Sequence, residues 1–224
     1  MSNARVSGWS GIAFLGIQVL STILYFLGGV PPAADDPVKQ VAYAAQNATL
    51  HLTVAIVSAI GAIAFLSYAL GIRGMLLAAG RELDRAAAAT WGTGLVLAAV
   101  MIVASSVLAA GALDASSRPD GSVIRAFDEF ELVITTLGAV VIVVFLAAAA
   151  KGTLDAAAFP RWTAYVARIA AVLNFVSIFA LYLGATAGGL LAFFAGFVPF
   201  LVYVAATSVV MLRMPVAIRA AAPA

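Results

Sequence analysis

The chain has no cysteine and only one histidine among its 224 residues. The absence of cysteine excludes disulfides, thiolate nucleophiles and cysteine-based zinc or iron–sulfur sites. A single imidazole is too few for a pair of haem ligands or for a di-iron cluster, which takes several histidines. The sequence therefore predicts a protein with no metal site and no cofactor.

Charge is also scarce. Lys, Arg, Asp and Glu make up 10% of the chain, whereas soluble domains carry about 25%. Hydrophobic residues make up 64%, and the mean hydropathy is +1.11. The net charge of +2 gives no sign of a nucleic-acid partner. This composition predicts an integral membrane protein surrounded by membrane lipids.

Six apolar stretches are each long enough to cross a membrane, which takes about 20 residues of helix. Helix is the expected form because an open strand leaves backbone groups unpaired in lipid. The stretches span about 8–30, 49–71, 89–113, 131–150, 163–185 and 188–212. They predict an all-α fold, a polytopic bundle of six transmembrane helices arranged as up-and-down hairpins, with residues 1–224 forming one membrane domain.

Basic residues alternate between the loops as the positive-inside rule describes. Nine of the twelve fall on one side: Arg5, Arg73, Arg81, Arg85, Lys151, Arg161, Arg168, Arg213 and Arg219. The other side has Lys39, Arg118 and Arg125 together with seven of the ten acids: Asp35, Asp36, Asp114, Asp120, Asp128, Glu129 and Glu131. This asymmetry predicts that both termini are cytoplasmic and that the protein lies in a bacterial cytoplasmic (inner) membrane.

The segments between helices on the external side are short. Residues 31–49 and 114–130 are the longest polar segments and predict loops, and GATAGG at 184–189 predicts a tight turn. The first apolar stretch exceeds the core of a signal peptide, which is about 7–15 residues long. PPAADD after it leaves one alternative, cleavage near Ala34, and that cleavage would leave five helices.

Two similar stretches, LDRAAAATW at 83–91 and LDAAAFPRW at 154–162, each precede an apolar helix. Trp91 and Trp162 open these helices, and Trp9 opens the first helix on the same side. Indole rings favour the membrane interface, so the three tryptophans predict interface anchors. The likeness of the two stretches reflects either duplication of a helical hairpin or convergence on one interface chemistry.

FPRW before an apolar helix, combined with six helices, short loops and alanine-rich spans, resembles uncharacterised bacterial six-helix integral membrane proteins of the domain-of-unknown-function type. The resemblance covers the layout of the whole chain. It implies a helical bundle, and it assigns no activity and no role to any residue.

A polar stripe follows one face of the first helix, where Gln18, Thr22 and Tyr25 lie between Gly11 and Gly29. Lipid cannot satisfy an amide group, so the stripe must face protein or a cavity. It predicts either hydrogen bonds between helices or a site for a ligand or water.

The candidates for acid–base chemistry lie at the external ends of the second and fourth helices. His51 is about one turn below the external surface, and RAFDEFE at 125–131 places Asp128 and Glu131 on one face. Such carboxylates can bind a cation or act as acid and base. The structural alternative is that the acids stabilise the first turn of a helix through its dipole, while the histidine hydrogen-bonds a loop.

Two further polar residues lie deep in the apolar stretches. Asn174 is near the middle of the fifth helix, where it requires a buried partner. In the sixth helix Gly196, Pro199 and Tyr203 share a face, and Pro199 is expected to kink the helix and free a carbonyl. This region predicts either a cavity or packing between kinked helices.

Three functions follow from these features. The favoured one is a non-enzymatic bundle that binds a lipid or small apolar molecule, or that serves as an accessory subunit to a membrane protein or to a second copy, because buried ionisable groups are few. Its predicted ligand residues are Gln18, Thr22, Tyr25, Asn174 and Tyr203. The alternatives are a membrane-embedded enzyme that uses Glu131, Asp128 and His51 at the external leaflet, and a small transporter.

Overall fold

A computed structural model describes residues 3–29, 32, 37–117 and 120–214, and almost all of them are helical. Six helices of the described chain are long and apolar enough to cross a membrane: Ala4–Leu27, Ala48–Ala79, Asp84–Ser117, Gly121–Asp155, Arg161–Tyr182 and Gly188–Arg213. The chain is therefore a multi-pass membrane protein, and the six predicted spans are confirmed. The described residues do not include Ala34, the predicted alternative cleavage point, or Asp35, Asp36, Arg118 and Arg219.

The helices are α1 (Asn3–Leu27), α2 (Pro37–Gln46), α3 (Ala48–Ala79), α4 (Asp84–Ser117), α5 (Gly121–Ala156), α6 (Arg161–Ser177), α7 (Gly184–Leu191) and α8 (Val198–Arg213). Two 3₁₀ segments and one π-helical turn adjoin these α-helices. A 3₁₀ turn at Arg81–Leu83 precedes α4, and a 3₁₀ segment at Ile178–Tyr182 continues α6. A π-helical turn at Ala192–Phe197 joins α7 to α8, directly before the proline that was expected to kink this helix.

The segments predicted as loops and turns are largely helical, and this part of the prediction is wrong. Residues 31–49 contain α2, residues 114–117 end α4, residues 121–130 begin α5, and GATAGG begins α7. The start of α5 is fixed by Asp120, whose carboxylate accepts hydrogen bonds from the backbone N–H and the hydroxyl of Ser122 at 2.8 and 2.7 Å. Asp128 and Glu131 thus lie in the third and fourth turns of α5, too far along for the predicted first-turn capping.

The α4–α5 hairpin extends beyond the apolar span. The uncharged part of α5, residues 132–150, is roughly 28 Å long at 1.5 Å per residue, which is about the thickness of the hydrocarbon layer. Residues 121–131 therefore project past it. The end of α4 projects beside them, and a Cβ on Gly111 would lie 3.5 Å from Phe127. Helix α2 leans on this projection through Ala44, which packs with Ala115 and Ile124.

The two ends of the bundle differ in composition. The end that carries Tyr25, Tyr43 and His51 is called the histidine end, and the end that carries the three tryptophans is called the tryptophan end. At the tryptophan end the side chains of Trp9 and Trp162 are exposed, as expected for anchors in the membrane interface.

Four phenylalanines fill the centre of the bundle. They are Phe14 of α1, Phe65 of α3, Phe145 of α5 and Phe200 of α8, and each is at most 1% exposed. Their ring centroids lie between 5.3 and 6.3 Å apart in tilted and edge-on arrangements. This group, the phenylalanine cluster, closes the bundle between the histidine end and the tryptophan end.

The two similar stretches at 83–91 and 154–162 contribute to packing. Leu83 of the first stretch and Phe159 of the second are both 2% exposed and belong to the main core. Their apolar side chains hold the turns before α4 and α6 against the bundle.

Ala157 ends α5 in a left-handed conformation, with φ of 52°. This conformation costs an L-residue about 1–2 kcal/mol, and glycine is the usual residue there. We expect Ala157→Gly to raise the free energy of unfolding by about 0.5–1 kcal/mol, because relief of this strain exceeds the stability lost to the greater entropy of glycine in the unfolded chain. Ala158→Gly, at a buried position without positive φ, is the control and should lower stability. Unfolding in mixed micelles measures both, and a loss of stability in Ala157→Gly would contradict the strain argument.

Candidate functional site

Three aromatic side chains from three helices meet at the histidine end. The His51 ring of α3 stacks on the Tyr25 ring of α1, with centroids 5.6 Å apart and planes 15° apart. The Tyr43 ring of α2 lies against the same His51 ring, with centroids 5.7 Å apart and planes tilted by 55°. Offset and tilted pairs of this kind are the favoured geometries of aromatic contacts. The result is a rigid aromatic corner around the only imidazole of the chain.

His51 is 7% exposed, and its Nε2 has no hydrogen-bond partner among the described residues. Leaving a buried polar atom unpaired costs about 1–3 kcal/mol. The predicted hydrogen bond from His51 to a loop is therefore absent at this atom in the described chain. Native structures leave few such atoms unpaired, so this nitrogen marks a position that calls for a further partner.

The two candidate carboxylates of α5 face the same corner. The Tyr25 phenol interacts electrostatically with the carboxyl groups of Glu131 and Asp128. Glu131 is half-buried and Asp128 is exposed. Burial, and then the nearby Asp128 carboxylate, raise the pKa of the Tyr43 phenol, so this group stays protonated at neutral pH. The Tyr25–His51 stack therefore lies within electrostatic reach of the acidic face of α5.

The turn after α1 fixes the position of Tyr25. Gly29 has φ of 91°, a conformation that favours glycine, and its carbonyl accepts a hydrogen bond from the Tyr43 hydroxyl at 3.3 Å. Asn47, at the start of α3, donates to the Gly28 carbonyl at 3.3 Å and to the Tyr43 carbonyl at 3.0 Å. These bonds tie the end of α1 to α2 and α3.

The other polar residues of the α1 stripe face α3 or their own helix. Gln18 is 7% exposed and packs on Gly61, where a Cβ would lie 2.9 Å from the Gln18 Nε2. That Nε2 has no hydrogen-bond partner in the described chain. Thr22 donates to the Gln18 carbonyl at 2.9 Å, which is a bond within α1. Hydrogen bonds between the side chains of α1 and α3 come instead from Ser58 to Ser21 at 3.2 Å and from Ser10 to Ser67 at 2.9 Å.

Asn174 has the buried partner that its position required. Its Nδ2 donates to the carbonyls of Ala170 at 2.8 Å and Gly196 at 2.9 Å. Gly196 belongs to the π-helical turn before Pro199, so the irregular backbone supplies the acceptor. The Asn174 Oδ1 has no described hydrogen-bond partner. A Cβ on Gly196 would lie 2.8 Å from the Ser177 hydroxyl, so the contact is closely packed.

Tyr203 lies beyond the phenylalanine cluster, toward the tryptophan end. It is 2% exposed, and its ring lies edge-on to that of Phe145 with centroids 6.4 Å apart. The Tyr68 hydroxyl is 2.5 Å from that of Thr207. This buried pair of hydroxyls joins α3 to α8.

The predicted ligand residues therefore lie in separate places. Tyr25 joins His51, Asp128 and Glu131 at the histidine end, whereas Gln18, Asn174 and Tyr203 have different partners. The groove at Pro199, where a cavity was one expectation, is a shallow apolar surface between α6 and α8 lined by Val166, Ile169, Ala170, Val198, Pro199 and Val202. The histidine end is thus the best candidate site.

One residue of this site, Tyr43, was missed at the level of sequence, as was Gln40 about one turn before it. Both lie on α2, which was predicted as a loop. Gln40 is 9% exposed, and its Oε1 lacks a hydrogen-bond partner among the described residues. Proline at the first position of α2 and apolar Val38 and Val41 three residues apart were the available signals of a short helix.

Comparison with protein families, with curated proteins and with solved structures finds no match to this chain. The functional argument therefore depends on the geometry of the histidine end.

Proposed function

We propose that this chain is a non-enzymatic membrane protein that binds a lipid or another small amphipathic molecule at the histidine end. The observation that supports this most directly is the buried His51 ring, stacked on Tyr25, with an Nε2 that no described residue hydrogen-bonds. A ligand that donates a hydrogen bond to this nitrogen removes the cost of leaving it unpaired.

The depth of the site fits an amphipathic ligand. Glu131 directly precedes the uncharged part of α5, so the polar corner lies where that apolar span ends. Beside it, the last turn of α1 exposes Phe26 and Leu27. A polar group can therefore contact His51 and Tyr25 while an attached apolar chain lies along exposed apolar side chains.

The distribution of basic residues supports an orientation with both termini in the cytoplasm of a bacterial cell. The tryptophan end is then cytoplasmic, and the histidine end is external. In this orientation the proposed site draws its ligand from the external leaflet or from the space outside the membrane.

A second candidate is an enzyme with an external acid–base site. It is favoured by Glu131 and Asp128, which lie within electrostatic reach of the Tyr25 phenol beside His51. An enzyme releases its ligand chemically changed, whereas a binding protein releases it unchanged. A transporter has less support, because the phenylalanine cluster fills the centre of the bundle.

His51→Phe tests the proposed function. The substitution keeps a ring against Tyr25 and removes the unpaired nitrogen, so we expect the free energy of unfolding to rise by about 1 kcal/mol. We also expect native mass spectrometry of protein in maltoside micelles to find a small molecule bound to the wild type and absent from the variant.

Thr53→Val, at an exposed position of α3, is the matched control and should keep the bound molecule. A His51→Phe protein that retains it would overturn the proposal, as would a wild type without one. A co-purified molecule that is converted during incubation would favour the enzyme.

A further inference from the structure

We infer that the group recognised at the histidine end is an organic ammonium ion, a protonated primary amine that belongs either to a lipid headgroup or to a free amine. The inference depends on the proposed function, because it names the ligand chemistry of the same site. It is supported by two carboxylates, two phenol rings and unpaired acceptors that lie at one end of the bundle.

The two carboxyl groups make the site acidic, and a cation bound beside them stabilises their ionised forms. Asp128 and Glu131 are three residues apart on α5 and therefore share a face, and both interact with the Tyr25 phenol. Two ionised carboxylates on one face of a helix repel each other, and a cation bound between them and the Tyr25 ring relieves the repulsion. Arg125 of the same helix is engaged elsewhere, since its Nε lies 2.7 Å from Glu129.

The aromatic corner suits a cation. Faces of tyrosine rings attract ammonium groups within about 6 Å of the ring centroid. Tyr25 and Tyr43 flank His51 at 5.6 and 5.7 Å and present their rings at different angles. An ammonium bound beside this stack lies close to both tyrosine rings and within electrostatic reach of the acidic side of α5.

The unpaired atoms are suited to accept hydrogen bonds. The His51 Nε2 is an acceptor when the ring proton is on Nδ1, and the Gln40 Oε1 lies one turn from Tyr43 on α2. A primary ammonium carries three N–H donors and no acceptor. A hydroxyl would not stabilise the ionised carboxylates, and they would repel a phosphate or a carboxylate.

Helix α2 covers the corner and gives the route of access. Its Tyr43 hydroxyl is held to Gly29 by a long hydrogen bond of 3.3 Å. Its apolar contact with the α4–α5 projection consists of few side chains, centred on Ala44, Ala115 and Ile124. Displacement of this short helix breaks these contacts and opens the way to His51.

The single histidine makes a direct test possible. Protein labelled with ¹⁵N-histidine in maltoside micelles, which contain no amine, gives imidazole signals from His51 alone. We expect dodecylammonium at pH 7 to shift these signals saturably, and dodecanol to bind at least tenfold more weakly. Asp128→Asn combined with Glu131→Gln should weaken dodecylammonium binding at least tenfold and leave dodecanol binding unchanged. Asp155→Asn, which removes an exposed carboxylate paired with Lys151 at the far end of α5, is the control and should have no effect.

The outcomes separate the two proposals. Equal His51-dependent binding of dodecanol and dodecylammonium would overturn the ammonium inference and leave the proposed function standing. Failure of both probes to shift the His51 signals would overturn both. Methylammonium identifies the source: binding as tight as that of dodecylammonium supports a free amine, and binding only of the alkylated form supports a lipid headgroup.

Discussion

Phe65→Ala is expected to lower the free energy of unfolding by about 3 kcal/mol. Phe65 is fully buried at the centre of the phenylalanine cluster, with centroids 5.3 Å from Phe14 and 5.7 Å from both Phe145 and Phe200. Lipid tails are as apolar as the side chain, so transfer out of water contributes little here. The cost comes from the cavity that truncation leaves and from the lost contacts between rings.

Reversible unfolding in mixed detergent micelles measures this effect. Phe194→Ala is the matched control, because Phe194 is 63% exposed on the surface of the bundle. Its truncation should change stability by less than about 0.5 kcal/mol. Equal losses for the two variants would show that the phenylalanine cluster does not hold the four helices together.

The spans were predictable because the membrane imposes a strict rule on them. A helix in lipid satisfies its own backbone, so a long apolar stretch indicates a helix regardless of its neighbours. The ends of the helices follow other rules. The start of α5 depends on the cap at Asp120, and α2 is stabilised by packing of Ala44 on the α4–α5 projection. Such tertiary contacts leave little trace in hydropathy.

The sequence indicated most residues of the candidate site individually, but it did not show that they lie together. Tyr25, His51, Asp128 and Glu131 stand out because each is polar beside an apolar stretch. Their meeting point depends on the register between α1 and α3, which contacts such as that of Gly28 with Asn47 determine. That register cannot be read from one sequence. The same limit applies to Asn174. The sequence predicted that this residue needs a buried partner, but it did not identify the Gly196 carbonyl as that partner.

The register of α1 on α3 therefore links stability to function. Near the tryptophan end Gly71 faces Ser7, and near the histidine end Asn47 faces Gly28. Residue numbers rise along one helix as they fall along the other, so the pair is antiparallel. A change that separates the helices at Gly71 also acts on the Tyr25–His51 stack at the opposite end, because both helices are continuous between these points.

Gly71→Ala is expected to lower the free energy of unfolding by about 2–3 kcal/mol. A Cβ at this position would overlap the Cβ and hydroxyl of Ser7, while the next neighbour, the Met211 sulfur, is at an ordinary 3.6 Å. Alanine favours a helix over glycine by about 1 kcal/mol, so the overlap must outweigh that gain. Because the Ser7 Cβ is fixed to its backbone, relief requires α1 to move away from α3.

Gly74→Ala provides the matched control on the same helix, since no described atom lies within 4 Å of its added Cβ. It should keep or raise stability through helix propensity alone. The double variant Gly71→Ala with Ser7→Gly places the larger residue on α3 and the smaller one on α1, which removes the overlap. It should recover most of the lost free energy, with a coupling of about 2 kcal/mol between the two sites. Additive losses in this cycle would contradict the close contact of Gly71 with Ser7. The imidazole signals of ¹⁵N-labelled His51 should change in Gly71→Ala and return in the double variant, because the register of α1 on α3 positions Tyr25 against that ring.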